Sequence, residues 1–155
     1  MSSDDGQLAI DYQALAELRY QIRRFLRFSE QAARTTGIEP QQYQLLLAVK
    51  GLPQGRKPTI GELAERLQLQ HNSTVELVNR LADHQLIERQ RDGSDQRQVV
   101  LTLTAHGEEI LHRLARHHQD ELQTIGPNLL QTLEIILARS EDTQHSPVST
   151  QEGQD

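Results

Sequence analysis

The feature that most constrains this fold is a pair of short helical segments followed at once by a β-hairpin pattern. The first helix is predicted to start at Thr59-Ile-Gly-Glu62, which has the form of a capping box, and the second to span about 72–84. A strand-like run, 86–91, and a return run, 97–103, flank Asp92-Gly93, a dipeptide typical of hairpin turns. The two helices alone would equally suit an ordinary helical hairpin, but the β-hairpin that follows favours a helix-turn-helix with an attached wing.

Longer helices are predicted on both sides of this region. Apolar residues at three- and four-residue steps indicate a first helix over 10–33, and a buried helix follows over 41–50. After the hairpin, Thr104 is expected to cap a helix that ends at Gly126-Pro127, and a last helix is expected to end near Ser140. The first helix would be about 35 Å long. Because a small domain cannot cover such a helix by itself, we expect it to pack against a partner subunit.

The predicted organisation is a single domain over 10–140. Its fold class is mainly α with a small β-hairpin wing, a winged helix-turn-helix with long dimerisation helices. The dimerisation helices are expected at 10–35 and 104–140. The winged lobe is expected between them, at 41–103. Residues 1–9 are predicted to form a flexible N-terminus, and 141–155, polar and without periodicity, a disordered tail.

Composition narrows the class of protein. A chain of 155 residues, 35% hydrophobic and 25% charged, is long enough for one domain with a core. Its longest apolar run, 45–49, is far below the roughly 20 residues of a membrane helix, and residues 1–6 show no secretory signal. The absence of Cys excludes disulfides, thiolate metal sites and cysteine redox sensors. These observations predict a soluble, cytoplasmic protein without a membrane segment.

The net charge of −6 is concentrated in the last third of the chain. Residues 105–155 hold nine acidic and three basic side chains, whereas 1–104 hold thirteen of each. Binding to phosphates depends on where arginines lie rather than on the total charge. The acidic total therefore weakens a nucleic-acid hypothesis without excluding it. It also keeps open the alternative of a winged helix that serves as a protein–protein interaction module.

The hairpin residues carry a resemblance to a known family. The sequence 81–97, together with the ending Leu101-Thr-Leu-Thr-Ala-His-Gly107, resembles the wing signature of the multiple-antibiotic-resistance regulator (MarR) family. Residues 71–81 resemble the second helix of that family's helix-turn-helix, and the likeness extends over about 8–139. One departure is Gln96, at a wing-tip position where the family often has Arg.

The resemblance implies a homodimeric regulator that binds double-stranded DNA, usually as a repressor released by a small and often aromatic ligand. It places the dimer contacts in the long helices and the ligand between those helices and the DNA-binding lobe. Two-fold symmetry would then require an inverted-repeat operator. No cofactor is expected. No enzyme is expected either, because the sequence lacks the hydrolase, zinc-protease, P-loop and dinucleotide-binding signatures.

Short polar side chains cluster at the start of the predicted recognition helix. Asn can bond adenine with two hydrogen bonds, and Ser or Thr can bond a base or a phosphate. The unpaired N–H groups of a helix N-terminus also favour a phosphate. The residues predicted to contact DNA here are His71, Asn72, Ser73 and Thr74. Each of them would otherwise serve only as a helix cap.

Arginines supply most of the other predicted DNA contacts. Arg97 at the wing tip suits a narrow minor groove, and Asp95 is expected to steer its guanidinium as a bidentate partner. The resemblance suggests a phosphate contact for Arg80, and an ion pair with Glu76 or Asp83 is the alternative. The remaining candidates are Asn79, Arg89, Arg91 and Gln96.

A ligand pocket and a metal site have weaker support. The candidate pocket residues, which equally suit ordinary core or surface positions, are Tyr20, Arg24, Phe28 and Tyr43. His112, His117 and His118 share one helix, but their spacing does not place three ligands on one face. We therefore expect no metal site, and we predict that His117 and His118 lie on a helix surface.

Overall fold

A computed structural model describes residues 10–141 of the chain, with side chains for 10–138. Within that range the protein has five helices and one two-stranded sheet. Their bounds are α1 Tyr12–Thr36, α2 Pro40–Lys50, α3 Ile60–Leu67, α4 His71–Asp83, β1 Ile87–Arg91, β2 Val99–Leu103 and α5 Ala105–Glu141. The predicted flexible N-terminus and residues 142–155 of the predicted tail lie outside the described residues, whereas Glu141 is the last residue of α5.

The chain divides into two compact units. The central unit is Leu26–Glu121, and the terminal unit is described for 10–25 and 122–141. The boundaries between the units fall inside α1 and α5, so each of these long helices contributes residues to both units.

The core of the central unit is built by α2, α3, α4, the hairpin and the parts of α1 and α5 that belong to this unit. Its most completely buried side chains include Leu45 and Leu46 of α2, Leu63 of α3, and Val78 and Leu81 of α4. Burying one such leucine contributes about 1.5–3 kcal/mol relative to leaving it exposed. Positions 78 and 81 are three residues apart and so share one face of α4, which leaves the opposite face for polar residues. The predicted helix-turn-helix followed by a hairpin is confirmed.

The hairpin is antiparallel, with Ile87 paired to Leu103 and Arg91 paired to Val99. Its return strand is two residues shorter at the start than the predicted 97–103, because residues 92–98 form a closed loop. Asp92 N–H donates to the Gln98 carbonyl across this loop, 2.9 Å away. The base of the wing is tied to the rest of the unit as well, since Leu101 N–H donates to the Pro58 carbonyl at 2.9 Å.

Only half of the predicted capping box at the start of α3 is formed. Thr59 Oγ1 accepts the Glu62 N–H at 3.2 Å, as predicted. The reciprocal bond is absent because the Thr59 N–H donates to the Lys57 carbonyl at 2.8 Å. The Glu62 carboxylate instead pairs with Arg56 and Arg66. The prediction of a reciprocal box was therefore wrong, although the helix starts where it indicated.

The turn between α4 and β1 is held tightly against the start of α5. Thr104 caps α5 as predicted, accepting the Gly107 N–H at 3.0 Å, and its hydroxyl donates to the Gln85 carbonyl at 2.6 Å. A Cβ at Gly107 would lie 2.0 Å from the Leu86 carbonyl oxygen, so no larger residue fits there. Gln85 itself has a left-handed conformation, with φ of 58°. The end of α4, the wing and the start of α5 therefore meet at one closely packed turn.

Helix α5 continues through Gly126-Pro127, where the sequence analysis predicted a break. Proline removes one N–H and so leaves the Gln123 carbonyl without its helical donor. Gln123 is exposed, which lets water satisfy that carbonyl. The less exposed positions continue on one face across the proline, at Ile125, Leu129, Thr132 and Ile136. Packing along that face favours one continuous helix over two.

In the terminal unit, the first turns of α1 contact the C-terminal half of α5. Gln21 Nε2 donates to Thr132 Oγ1 at 3.2 Å, and both side chains are at least partly buried. Helix α1 begins after Asp11, whose carboxylate accepts the Ala14 N–H at 2.9 Å. Within residues 10–141, no helix is both long enough and apolar enough to cross a membrane.

Candidate nucleic-acid interface

The start of α4 presents an exposed polar surface. His71, Asn72 and Ser73 are all exposed, and the N-cap residue, Gln70, makes no side-chain bond to the helix. Leu77, Val78 and Leu81 anchor the opposite side of the helix in the core. This part of the helix therefore combines outward-facing polar side chains with first-turn N–H groups that no side chain caps, an arrangement suited to phosphates and base edges.

Thr74 does not share this surface. Its side chain is 0% exposed, and its hydroxyl donates to the Gln70 carbonyl at 3.0 Å. One helical turn separates it from Val78, so it lies on the core side of α4 and not on the polar side. The predicted DNA contact by Thr74 is wrong for this reason, and the candidates at the helix start reduce to three.

Arg97 lies in the exposed wing loop, and its guanidinium makes no hydrogen bond or ion pair with any residue in the described range 10–138. The Asp95 carboxylate accepts the backbone N–H of Arg97 at 3.0 Å. The predicted side-chain pair between these two residues is therefore wrong, because both lie in the closed loop and not on one strand face. Asp95 fixes the main chain at Arg97 and leaves the guanidinium available to an external partner.

The other two arginines of the wing make hydrogen bonds within the protein. Arg89 Nη2 donates to the Asn79 side-chain oxygen, and this bond links β1 to α4. Arg91 Nη1 donates to the Gln96 carbonyl at 2.8 Å, across the mouth of the loop. Their exposed side chains can still face a ligand, as can that of Gln96. The hydrogen bonds of Arg89 and Arg91 also hold the wing in position.

Lys57 is a wing-positioning residue that the sequence analysis missed. It lies in the loop between α2 and α3, and its ammonium donates to the Asp92 carboxylate and, at 2.9 Å, to Ser94 Oγ. The hydrogen bond from Lys57 is the main reason why the pKa of Asp92 is lowered, and the Ser94 N–H adds to it. No local pattern signals this contact, because 35 residues separate Lys57 from Asp92.

Arg80 makes the ion pair that was the alternative to a phosphate contact. Its Nη2 lies 3.8 Å from Glu76 Oε2, one helical turn away, and both side chains are mostly exposed. Such exposed pairs contribute about 0.3–0.5 kcal/mol. A pair this weak does not prevent Arg80 from turning to a phosphate.

The four predicted pocket residues fall into two separate pairs. In the terminal unit, the Arg24 guanidinium lies over the Tyr20 ring, 5.8 Å from its centroid, and both side chains are exposed. In the central unit, Phe28 and Tyr43 both contact the ring of His118, at centroid distances of 5.8 Å and 4.6 Å. Burial raises the pKa of the Tyr43 hydroxyl.

His118 is buried, at 6% exposure, which corrects its predicted surface position; His117 is exposed as predicted. His118 Nδ1 donates to the Leu114 carbonyl at 2.5 Å, and Nε2 lies 2.6 Å from Ser29 Oγ. Beside this aromatic cluster, a cavity of about 310 Å³ is lined by Phe28, Gln31, Ala32, Thr35, Thr36 and His117. Among the described residues, no three His, Asp or Glu side chains come together as metal ligands would.

Comparison with known proteins shows which family part of the chain resembles. The sequence profile of the MarR family matches residues 36–98. Over 65 residues the chain is 34% identical to YsmB of Bacillus subtilis (strain 168), an uncharacterized HTH-type transcriptional regulator. That match spans 42% of this chain and 44% of the length of YsmB, so it covers less than half of either protein.

Solved structures share the fold over a longer range. MepR, a transcription regulator of the Staphylococcus aureus multidrug efflux pump MepA, is 19% identical, with a TM-score of 0.66 over 88% of this chain and 100% of that chain. The transcriptional repressor CouR, bound to a 23-mer DNA duplex, is 23% identical, with a TM-score of 0.60 over 83% of this chain and 96% of that chain. YsmB, MepR and CouR are all transcriptional regulators. Residues 36–98 therefore match the MarR family, and the chain shares its fold with these solved winged-helix regulators.

Proposed function

We propose that this protein is a homodimeric DNA-binding repressor that reads an inverted-repeat operator and is released by a small ligand. One observation carries the DNA-binding part of the proposal. The polar start of α4 and the Arg97 guanidinium are both exposed, and Arg97 has no side-chain partner among residues 10–138, while the other arginines of the wing are bonded within the protein. This arrangement supports an α4 start in the major groove and Arg97 in the adjacent minor groove. DNA bound to the solved relative CouR is consistent with this use of the fold.

The terminal unit supports the homodimer. Among residues 10–138, most of the large apolar side chains that are exposed belong to this unit, including Leu15 and Ile22 of α1 and Leu130 and Leu137 of α5. A monomer that exposed such a surface would be prone to association. A second copy of the same chain covers it with matched chemistry and generates a two-fold axis, which requires half-sites about one helical turn of DNA apart.

The ligand part of the proposal rests on the cavity beside the His118 cluster. The Phe28 ring and the Ala32 methyl group contribute apolar lining, while Gln31, Thr35 and His117 contribute polar groups. An apolar pocket with a few polar groups suits a small aromatic molecule. Such a ligand releases DNA only if it binds the DNA-free conformation more tightly than the DNA-bound one. A regulator that binds chromosomal DNA in a cell without a nucleus would act in the cytoplasm, and we propose that location for this protein.

Titration of a DNA duplex from the protein's own promoter region tests the proposal. Arg97→Ala is expected to weaken binding about tenfold, because one arginine contact to DNA is worth about 1–3 kcal/mol. Arg116→Ala is the matched control, since Arg116 is also exposed but lies on α5. Affinity should fall steeply with salt in the parent protein, and the slope should be smaller for Arg97→Ala. Equal affinity of Arg97→Ala and the parent would remove the wing from the mechanism.

The same titration separates DNA binding from the alternative role as a protein–protein interaction module. A module of that kind would show no retention on heparin and no salt-dependent association with a duplex. Retention that Arg97→Ala reduces and Arg116→Ala does not would support DNA as the partner.

A further inference from the structure

A second cavity, of about 210 Å³, lies in the central unit near the turn that joins α4, the wing and α5. It shares Thr36 with the cavity beside His118, and its other lining residues are different. Three of its lining residues are basic and three are aliphatic: His84, His106, Arg113, Ile38, Leu86 and Ile110. None of the residues that line it is acidic.

The aliphatic residues form the apolar floor of this cavity. Ile38, Leu86 and Ile110 are 5%, 1% and 7% exposed, so the core holds them in place without any occupant. Leu86 is fixed further by the close approach of Gly107 to its carbonyl. A preformed apolar floor of this kind lowers the entropic cost of binding.

The basic residues have hydrogen-bonding capacity that the protein leaves unused. Within the described range, neither the His84 nor the His106 imidazole has a hydrogen-bond or ion-pair partner. Arg113 donates from Nη2 to Glu109 at 3.1 Å, an exposed pair one helical turn apart on α5. A guanidinium has five N–H donors, so others remain available.

We infer that this cavity binds a small carboxylate with a short aliphatic chain. The carboxylate would be held by Arg113 and the two imidazoles, and the chain would lie on the aliphatic floor. The cavity is smaller than the roughly 300–1,000 Å³ of pockets for drug-sized ligands, so the occupant must be small. No Phe or Tyr lines it, which favours an aliphatic over an aromatic body.

The position of the cavity gives its occupant a route to the DNA-binding surface. His84 is the C-cap residue of α4, and its N–H donates to the Arg80 carbonyl at 3.1 Å. Arg113 and His106 lie on α5. An occupant bonded to His84 and to the α5 residues would link the end of α4 to α5. The link would lie at the turn that Thr104 and Gly107 hold in place. This consequence, unlike the site itself, rests on the proposed DNA-binding function.

The site is tested on the full chain without DNA by titration with sodium hexanoate, followed through the imidazole proton resonances of the histidines. Saturable shifts of the His84 and His106 resonances are expected. Hexanamide, which has the same chain but no charge, and acetate, which has the charge but almost no chain, should both bind more weakly. Equal shifts with hexanamide, shifts confined to His117, or no saturation up to the solubility limit would each overturn the inference.

Matched variants locate the carboxylate contact. Arg113→Gln is expected to weaken hexanoate binding about tenfold, the typical cost of losing one hydrogen bond to a charged group. Arg116→Gln changes an exposed arginine on the same helix outside the cavity and should have no effect. His106→Ala and His112→Ala form a second pair, with only the first expected to weaken binding. Circular dichroism verifies that each variant is folded. Equal losses within either pair would overturn the assignment of the site.

The coupling is tested separately by repeating the DNA titration at saturating hexanoate. A change in DNA affinity of about fivefold or more is expected in the parent protein, and none in Arg113→Gln. Unchanged DNA affinity at saturating hexanoate would overturn the coupling. Failure of the protein to bind DNA at all would overturn the proposed function and leave the carboxylate site standing.

Discussion

The central and terminal units bury their apolar residues to very different degrees. In the central unit, Leu45, Leu63, Leu81 and Leu101 are almost completely buried within one chain. In the terminal unit, Leu130 and Leu137 are 61% and 63% exposed. The central unit therefore obtains its hydrophobic stabilisation from its own chain, whereas the terminal unit presents the surface through which, as proposed, the dimer forms. The α4 surface and the wing belong to the unit that is complete in one chain.

The largest expected effect comes from charging the exposed apolar surface of the terminal unit. The double variant Leu130→Glu, Leu137→Glu is expected to convert the dimer into a monomer, because burying two carboxylates in an apolar interface is strongly unfavourable. Light scattering after size-exclusion chromatography measures the molar mass. Leu47→Glu is the matched control, since Leu47 is 44% exposed but lies on α2 of the central unit. A double variant that stays dimeric, or a Leu47→Glu variant that also dissociates, would contradict the proposal that the terminal unit forms the dimer interface.

Shortening a core side chain of the central unit should give the next largest effect. Leu81→Ala is expected to lower the free energy of unfolding by about 3 kcal/mol, within the 2–5 kcal/mol range of buried Leu→Ala changes. Leu47→Ala, at an exposed position of the same unit, should change it by less than about 1 kcal/mol. Urea denaturation at a fixed protein concentration measures both. Similar losses from the two variants would contradict the burial difference described here.

The smallest effect concerns the contact that holds the wing loop. Lys57→Met should raise the pKa of Asp92 back towards its ordinary value of 3.8, because the main hydrogen bond that lowers it is lost. Since the pKa is lowered in the folded state, this contact stabilises the wing above pH 3.8 and is lost as the pH falls through the lowered pKa. An NMR titration of the Asp92 carboxyl carbon measures the shift.

Lys50→Met is the control for that titration, because Lys50 pairs with Glu108 at 2.7 Å and not with the wing. It should leave the Asp92 titration unchanged. An Asp92 pKa that is the same in Lys57→Met and the parent would show that Lys57 does not position the wing loop in solution.

Local sequence signals predicted most of the fold. The Asp92-Gly93 dipeptide, the Thr104 cap and the apolar spacing in α4 each depend on residues a few positions apart, and all three appear where they were expected. The break predicted at Pro127 was wrong because the local cost of a proline does not include the packing of the helix on both sides of it. The DNA-contacting roles of His71, Asn72, Ser73 and Arg97 remain predictions.

The amino-acid sequence by itself determined the order and type of the elements, since backbone preferences and apolar periodicity act over single turns and hairpins. The tertiary structure decided which side chains are free to act. It buried Thr74, stacked His118 on Tyr43, and bonded Arg89 to Asn79. It also joined Lys57 to the wing. These outcomes depend on contacts between residues distant in the chain, and no pattern within a single element encodes which partner a charged or polar side chain will meet.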